Sequence, residues 1–410
     1  MVLLLKTFNR HEIIYMSFAF DSLLKIDLLG VRMHVGLIFI LLILGIEFVA
    51  HPTSIGRMKA FIRTNWSILP FFGYLFLQFI LNKAFPGAIM LLLYYFLALI
   101  SFYYFFKKHS SISKQSVIMF QWIMVTTGLF QFLLFKIFGF QLSFYEVEHY
   151  MVDASFATRM RGFFVEPNWY SIVFSFNTLL LAMILKRKIL EYKVLILLSF
   201  VCFYFNASYT SIAIVVLVLL IQAPQNIRYI SKTKLITTFS LVLIIALVFA
   251  GRVYDKRKSS NQIVDASTAV NYGSRFFPVV RTYDFMTRQS SVKQFFGFGL
   301  GSWPYVGIEE NRLGYIGVHV TNKVEPGKRD SAEIQVFMLE FGFLSFIFLF
   351  FDYFYNYMKY RKHNLFYAIA CVFLASCFFI YPIFKFMMYI VPFYLMRSIV
   401  TERNEIIDKT

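Results

Sequence analysis

Apolar side chains in this chain run in near-continuous blocks rather than at the spacing of an amphipathic helix or a half-buried strand. A hydrocarbon core of about 30 Å takes roughly 20 helical residues to cross, and the blocks approach that length. On this pattern the spans fall at about 33–50, 66–82, 86–106, 117–139, 163–185, 194–206, 209–222, 235–250, 334–357, 365–381 and 384–400. Residues 1–30 are interrupted by Asp21, Lys25 and Asp27, so they form either a poor first span or an amphipathic helix on the surface. The pattern therefore predicts an all-α polytopic membrane protein of about 11 or 12 transmembrane helices. It divides into an N-terminal transmembrane bundle over 1–250, a long loop over 251–333, and C-terminal helices with a tail over 334–410.

Short polar connections set the orientation. Basic residues gather at Arg57, Lys59 and Arg63; at Lys107, Lys108 and Lys114; at Lys186, Arg187, Lys188 and Lys193; at Arg228, Lys232 and Lys234; and at Lys359, Arg361 and Lys362. If the spans alternate as given, these connections share one face, and the positive-inside rule makes that face cytoplasmic. The opposite face then receives Asn82–Phe85, the stretch 141–161, the polar break near 207–211, and the long loop. One alternative stays open, because the charge-free run Val194–Ile227 would carry the long loop to the cytoplasm if it were a single helix. Asn206-Ala-Ser-Tyr-Thr-Ser211 places polar groups in the middle of that run, which favours two short helices.

Composition agrees and narrows the function classes. The chain of 410 residues is 59% hydrophobic and only 15% charged, whereas soluble domains carry about a quarter charged residues. A formal charge of +18 would suggest nucleic acid in a soluble protein. Here, cytoplasmic Lys and Arg account for much of it, and no nucleic-acid partner is expected. The long loop adds 12 Lys/Arg against 8 Asp/Glu. Loops of that length escape the positive-inside bias, so the excess points to an anion or to a merely solvated basic loop. Cys202, Cys371 and Cys377 lie in apolar segments and offer neither a disulfide framework nor a metal site. Lys6 follows Met1–Leu5 without a small-residue cleavage site, so no removable signal peptide is expected.

Candidate chemistry concentrates at the outward end. Arg159-Met-Arg-Gly-Phe-Phe-Val-Glu-Pro-Asn168 stands at the mouth of the span beginning near Phe163, with Pro167 where a helix's first turn accepts proline. Arg161 and Glu166 are the functional candidates; the alternative is a helix-start cap beside a snorkelling arginine. Arg275, Arg281 and the run Gly297-Phe-Gly299-Leu-Gly301 follow in the loop, and alternating glycines let backbone N–H groups approach an anion. Asp330-Ser-Ala-Glu333 leads into the span carrying Glu340-Phe-Gly342, with His319 a little earlier. No set of carboxylates or Cys/His suits a metal. A metal-free diphosphate site would use arginine, whose planar fork grips phosphate oxygens in pairs.

The order Arg161-Gly-x-Phe-x-Glu-Pro-Asn168, Asn206-Ala-Ser-Tyr-Thr, Arg281…Phe296-Gly-Phe-Gly-Leu-Gly-Ser302 and Asp330-Ser…Glu340-x-Gly resembles the bacterial O-antigen polymerase and ligase family over about residues 30–360. The resemblance implies a multi-pass inner-membrane glycosyltransferase of the GT-C type, acting on the periplasmic face without metal or other cofactor. Its donor and acceptor would be undecaprenyl-diphosphate-linked oligosaccharides within the membrane lipid, with room for a chain-length-regulating membrane protein as partner. Arg281 and Gly297, with fifteen residues between them, match a spacing of the polymerase branch. Tyr209 stands where the family carries arginine, and Asp330-Ser331 where its ligase branch carries histidine. The second departure favours a polymerase over a ligase.

On that resemblance, Arg161, Arg275 and Arg281 bind the leaving diphosphate, and a carboxylate, Glu166 or Asp330, takes the acceptor proton, with His319 in reserve. The product would be O-antigen of lipopolysaccharide or a related surface polysaccharide. Two alternatives remain: a ligase passing the glycan to lipid A core, and a flippase moving the lipid-linked repeat without chemistry. The chain shows no internal repeat of the kind common in transporters.

Overall fold

The computed structural model describes residues 8–21, 23–28, 31–50, 55–81, 85–140, 159–164, 166–206, 208, 276–309, 333–378, 383, 388 and 390–407. These are mostly helical, with a single two-stranded hairpin among the described residues. Among the described residues three helices are long and apolar enough to cross a membrane: Ala88–Ser111, Lys114–Phe138 and Pro167–Leu185. Shorter apolar helices accompany them at Val35–Ala50, Trp66–Ile80, Lys193–Asn206 and Leu365–Phe378. The expected spans 209–222 and 235–250 lie outside the described residues.

In chain order the helices are α1 (Arg10–Ser17), α2 (Val35–Ala50), α3 (Ile55–Thr64), α4 (Leu69–Leu81), α5 (Ala88–Lys108), α6 (Lys114–Phe138), α7 (Pro167–Leu185) and α8 (Lys193–Asn206). They continue with α9 (Phe276–Thr287), α10 (Ser291–Phe296), α11 (Trp303–Glu309), α12 (Glu333–Phe341), α13 (Leu344–Tyr360), α14 (Leu365–Phe378) and α15 (Val391–Ile407). Strands β1 (Lys25–Leu28) and β2 (Val31–His34) pair antiparallel with Ile26 opposite Met33.

Contacts sort the connections into two ends. At one end Lys114 sits over the Tyr192 ring at 5.6 Å, Glu47 pairs with Lys107 at 2.6 Å and with Lys108, and His109 pairs with Glu402. Trp66 meets Tyr355 at 5.3 Å, and Lys359 lies over that tyrosine at 5.9 Å. The basic segments near 57–63, 107–114, 186–193 and 359–362 therefore gather together, as alternating spans require; Arg228–Lys234 lies outside the described residues. At the far end of α5, a Cβ on Gly301 would stand 3.3 Å from the Ala88 nitrogen, and the Phe85 and Tyr305 rings are 5.4 Å apart. Residues 301–305 thus sit opposite the basic end, whatever path the chain takes between 208 and 276.

Among the described residues of the N-terminal segment, 8–28 without 22, there is neither a helical span nor a surface helix. Asn9 and Glu12 form a capping box, and Glu12 also accepts the Ser113 N–H at 3.0 Å, which pins the start of α1 at the basic end. The segment then climbs inside the bundle. Tyr15 is fully buried and donates to Asn177 of α7 at 2.5 Å, while Phe20 stacks on Phe163 at 5.7 Å. Eight residues of α1 rise only about 12 Å, so α1 cannot cross alone. The hairpin follows, and α2 returns toward Lys107 and Lys108.

The expected span 334–357 is also corrected, because it breaks at Gly342. That residue is left-handed (φ 67°), and a Cβ there would lie 2.3 Å from the Phe295 carbonyl oxygen. The last carbonyls of α12 find partners from distant segments: Leu339 accepts from Phe298 N–H (2.8 Å), Glu340 from Gly299 N–H (2.9 Å), and Phe341 from the Tyr74 hydroxyl (2.6 Å). Phe343 N–H donates to Gln294 at 2.9 Å, and the Ser345 hydroxyl to Gly342 at 2.7 Å. A helix end in an apolar interior needs such partners for its orphan carbonyls.

A buried ionic node ties the basic end together. Arg397 of α15 donates to both Asp352 oxygens (2.7 and 2.9 Å) and to Asn65 (3.2 Å), with its guanidinium 4.9 Å from the centre of the Phe102 ring. Ser67 and Asn356 donate to the same carboxylate at 2.6 and 2.9 Å. This node joins α5, α13, α15 and the turn before α4.

Candidate functional site

The loop carrying Arg159 and Arg161 is held from three sides. Small residues first bring it close to α6: a Cβ on Gly128 would stand 2.6 Å from the Tyr170 hydroxyl, and Gly162 is left-handed (φ 54°) with Thr127 and Tyr170 about it. Arg161 donates its backbone N–H to Gln131 at 2.9 Å. Pro167 then opens α7 at its first turn, as expected. Finally, Asn206 at the end of α8 donates to Met160 (2.7 Å) and Pro167 (2.8 Å), bridging both flanks of the loop. Two such bonds contribute about 1 kcal/mol each.

Arg159 and Arg161 are both buried. The Arg159 guanidinium donates to the Asn206 carbonyl at 2.9 Å and to the Asn168 amide oxygen at 3.3 Å, and Ser208 also donates to Asn168 at 3.4 Å. The first motif and the polar break at 206–208 therefore form one structure. Glu166 occupies the N-cap position of α7 in an extended conformation, yet its side chain makes no capping hydrogen bond. Its backbone carbonyl accepts the Trp169 and Tyr170 N–H groups at 3.2 and 3.3 Å, so Glu166 starts the helix through its main chain.

The third and fourth motifs also meet. Gly297, Gly299 and Gly301 all have positive φ (76°, 102° and 83°). A Cβ on Gly297 would fall 2.4 Å from the Glu340 carbonyl oxygen, so only glycine permits this approach. The N–H groups of Gly297, Phe298 and Gly299 donate to Lys293, Leu339 and Glu340. Such amides were expected to face an anion; instead the Gly297 N–H closes the end of α10, and those of Phe298 and Gly299 stitch the loop to the end of α12. The buried Glu340 carboxylate accepts the Trp303 N–H at 3.2 Å, which seats the start of α11. Thr282 of α9 and Gln335 of α12 bond at 3.1 Å, fixing the helix that contains Arg281.

Arg281 lies in α9, but its side chain is outside the described residues, as are Arg275, His319, Asp330 and Tyr209. Among the described residues no group of three His, Cys, Asp or Glu is arranged to hold a metal. Two groups escaped the sequence reading. Arg159 stood beside Arg161 in the motif but was not singled out, and its anchoring to Asn206, 47 residues away, was not visible. Asp352 and Arg397 were passed over, although an ionisable residue in an apolar segment is itself a signal.

Fold and site together define a mostly helical protein with three described helices long and apolar enough to cross a membrane, and with buried arginines at the end opposite its basic connections. No protein-family model matches the chain, and no characterised protein matches it in sequence.

Proposed function

We propose that this protein joins lipid-diphosphate-linked oligosaccharide repeats into a surface polysaccharide on the outward face of a bacterial inner membrane. The reading rests on the resemblance of its four motifs. The observation that carries it is the buried Arg159-Met-Arg161 loop, locked to Asn206 and Asn168 at the end away from the basic connections. By the positive-inside rule the basic end is cytoplasmic, which makes the arginine end periplasmic.

In the proposed reaction the hydroxyl of the acceptor repeat attacks the anomeric carbon of the growing chain. The bond from that carbon to the carrier diphosphate breaks, and the diphosphate leaves on its undecaprenyl lipid. Arg161, with Arg275 and Arg281, offsets the charge that builds on the leaving oxygens. Arg159 positions the loop. Glu166 or Asp330 takes the proton of the attacking hydroxyl, with His319 in reserve.

Deleting the gene tests the class of reaction. In a host that attaches the polymer to lipid A core through a separate ligase, the deletion should leave core capped by a single repeat and no ladder. Bare core with long chains retained on the carrier would replace this reading with a ligase. Bare core with single repeats on the inner leaflet would replace it with a flippase.

A further inference from the structure

We infer that α3 lies in the plane of the membrane interface at the basic end and binds anionic phospholipid headgroups there. This holds whichever reaction the outward end performs. Helical spacing sets three neighbouring i,i+4 pairs side by side on α3: Arg57/Phe61, Met58/Ile62 and Lys59/Arg63. Phe61 of the Arg57/Phe61 stripe is buried against Phe102, Tyr103 and Phe106, with ring distances of 5.0, 5.3 and 5.3 Å. That contact fixes α3 against the last turns of α5, just before Lys107. The adjacent stripe, Met58 and Ile62, is 45% exposed at both residues. The third stripe, Lys59 and Arg63, is exposed, as is Arg57 at the other border.

An apolar stripe turned away from the protein and bordered by cations is the arrangement of a helix lying between acyl chains and headgroups. Trp66, 45% exposed, continues this surface. It meets Tyr355 at 5.3 Å, and the exposed Lys359 lies over that same ring. Trp and Tyr at this depth mark the membrane–water boundary. The neighbouring Lys107 and Lys108 pair with Glu47. The exposed cations on this patch are therefore Arg57, Lys59, Arg63 and Lys359, and their charge selects phosphatidylglycerol-like lipids over zwitterionic ones.

The test uses the full chain in phosphatidylcholine vesicles containing lipid brominated near the headgroup, either phosphatidylglycerol or phosphatidylcholine, at equal mole fraction. Subtracting the fluorescence of a Trp66→Phe variant isolates the Trp66 signal. Its quenching should report an anionic-lipid excess of at least about five-fold, the preference that one engaged cation supplies, and added salt should reduce it. R57Q/K59Q/R63Q should bring the two lipids to near equality, whereas R57K/R63K should keep the preference. Unchanged melting of the variants establishes that these exposed changes leave the fold intact. Equal quenching by both lipids in the native chain overturns the inference. So does a preference that survives the triple glutamine variant, or no quenching of Trp66 by either lipid.

Discussion

Two buried arginine sites at opposite ends of the molecule show how differently the same side chain can be used. At the basic end, Arg397 meets the Asp352 carboxylate through two hydrogen bonds, and the charges cancel in place. At the other end, Arg159 donates to a carbonyl and a side-chain amide oxygen, bonds that fix the orientation of the guanidinium and of the loop that carries it. The first arrangement joins helices; the second holds the arginine loop in a fixed position. Chemistry with an anionic leaving group needs the second kind, with its donors arranged before charge develops.

The largest stability effect should come from the node. Removing one partner leaves a buried charge uncompensated, so Asp352→Leu should destabilise the detergent-solubilised protein by about 3 to 5 kcal/mol. The double change Asp352→Leu with Arg397→Met should recover most of that loss, because apolar residues of similar volume replace a buried pair at little net cost. Thermal melting checks both. A double variant as unstable as the single one would show that Arg397 contributes more through Asn65 and Phe102 than through its carboxylate.

A smaller loss is expected at the helix break. Gly342→Ala forces a left-handed alanine and places its Cβ against the Phe295 carbonyl. Strain and overpacking together should cost about 2 to 4 kcal/mol. Melting temperature measures it, and a change of less than 1 °C would mean that the α12–α13 break is not held as described.

Hydropathy made most helices legible. The expected span 86–106 matches α5 closely, because that stretch is apolar along nearly its whole length and meets Lys107 at its end; of the expected span 365–381, residues 365–378 form α14 and the rest lie outside the described residues. The break in 334–357 was hidden for a physical reason. Its orphan carbonyls are satisfied by Tyr74, Phe298 and Gly299, all remote in sequence, so no local polar residue reports it. The N-terminal segment failed differently. Tyr15 is buried against α7 and Phe20 half-buried against the arginine loop, contacts that periodicity within residues 1–30 does not encode. At the candidate site, Arg161 and Glu166 were legible as ionisable groups at a span's mouth. The tie of their loop to Asn206, through Arg159, Met160 and Pro167, joins residues about 40 apart and was not legible; the glycine run was read as an anion cradle because glycine marks any close backbone approach, here that of another helix.

The arginine loop should show the smallest stability effect and the largest functional one. Arg161→Lys keeps the charge, so melting should shift by no more than about 1 kcal/mol in stability. A point charge cannot reproduce a paired guanidinium contact, however. The most direct measurement is polymer formation by purified, reconstituted protein supplied with undecaprenyl-diphosphate-linked repeats. The native protein should build a ladder and release undecaprenyl diphosphate. Arg161→Lys should do so about 30- to 1000-fold more slowly, a loss of roughly 2 to 4 kcal/mol in the transition state. A native protein that makes no ladder, or a lysine variant as fast as the native one, would contradict the account.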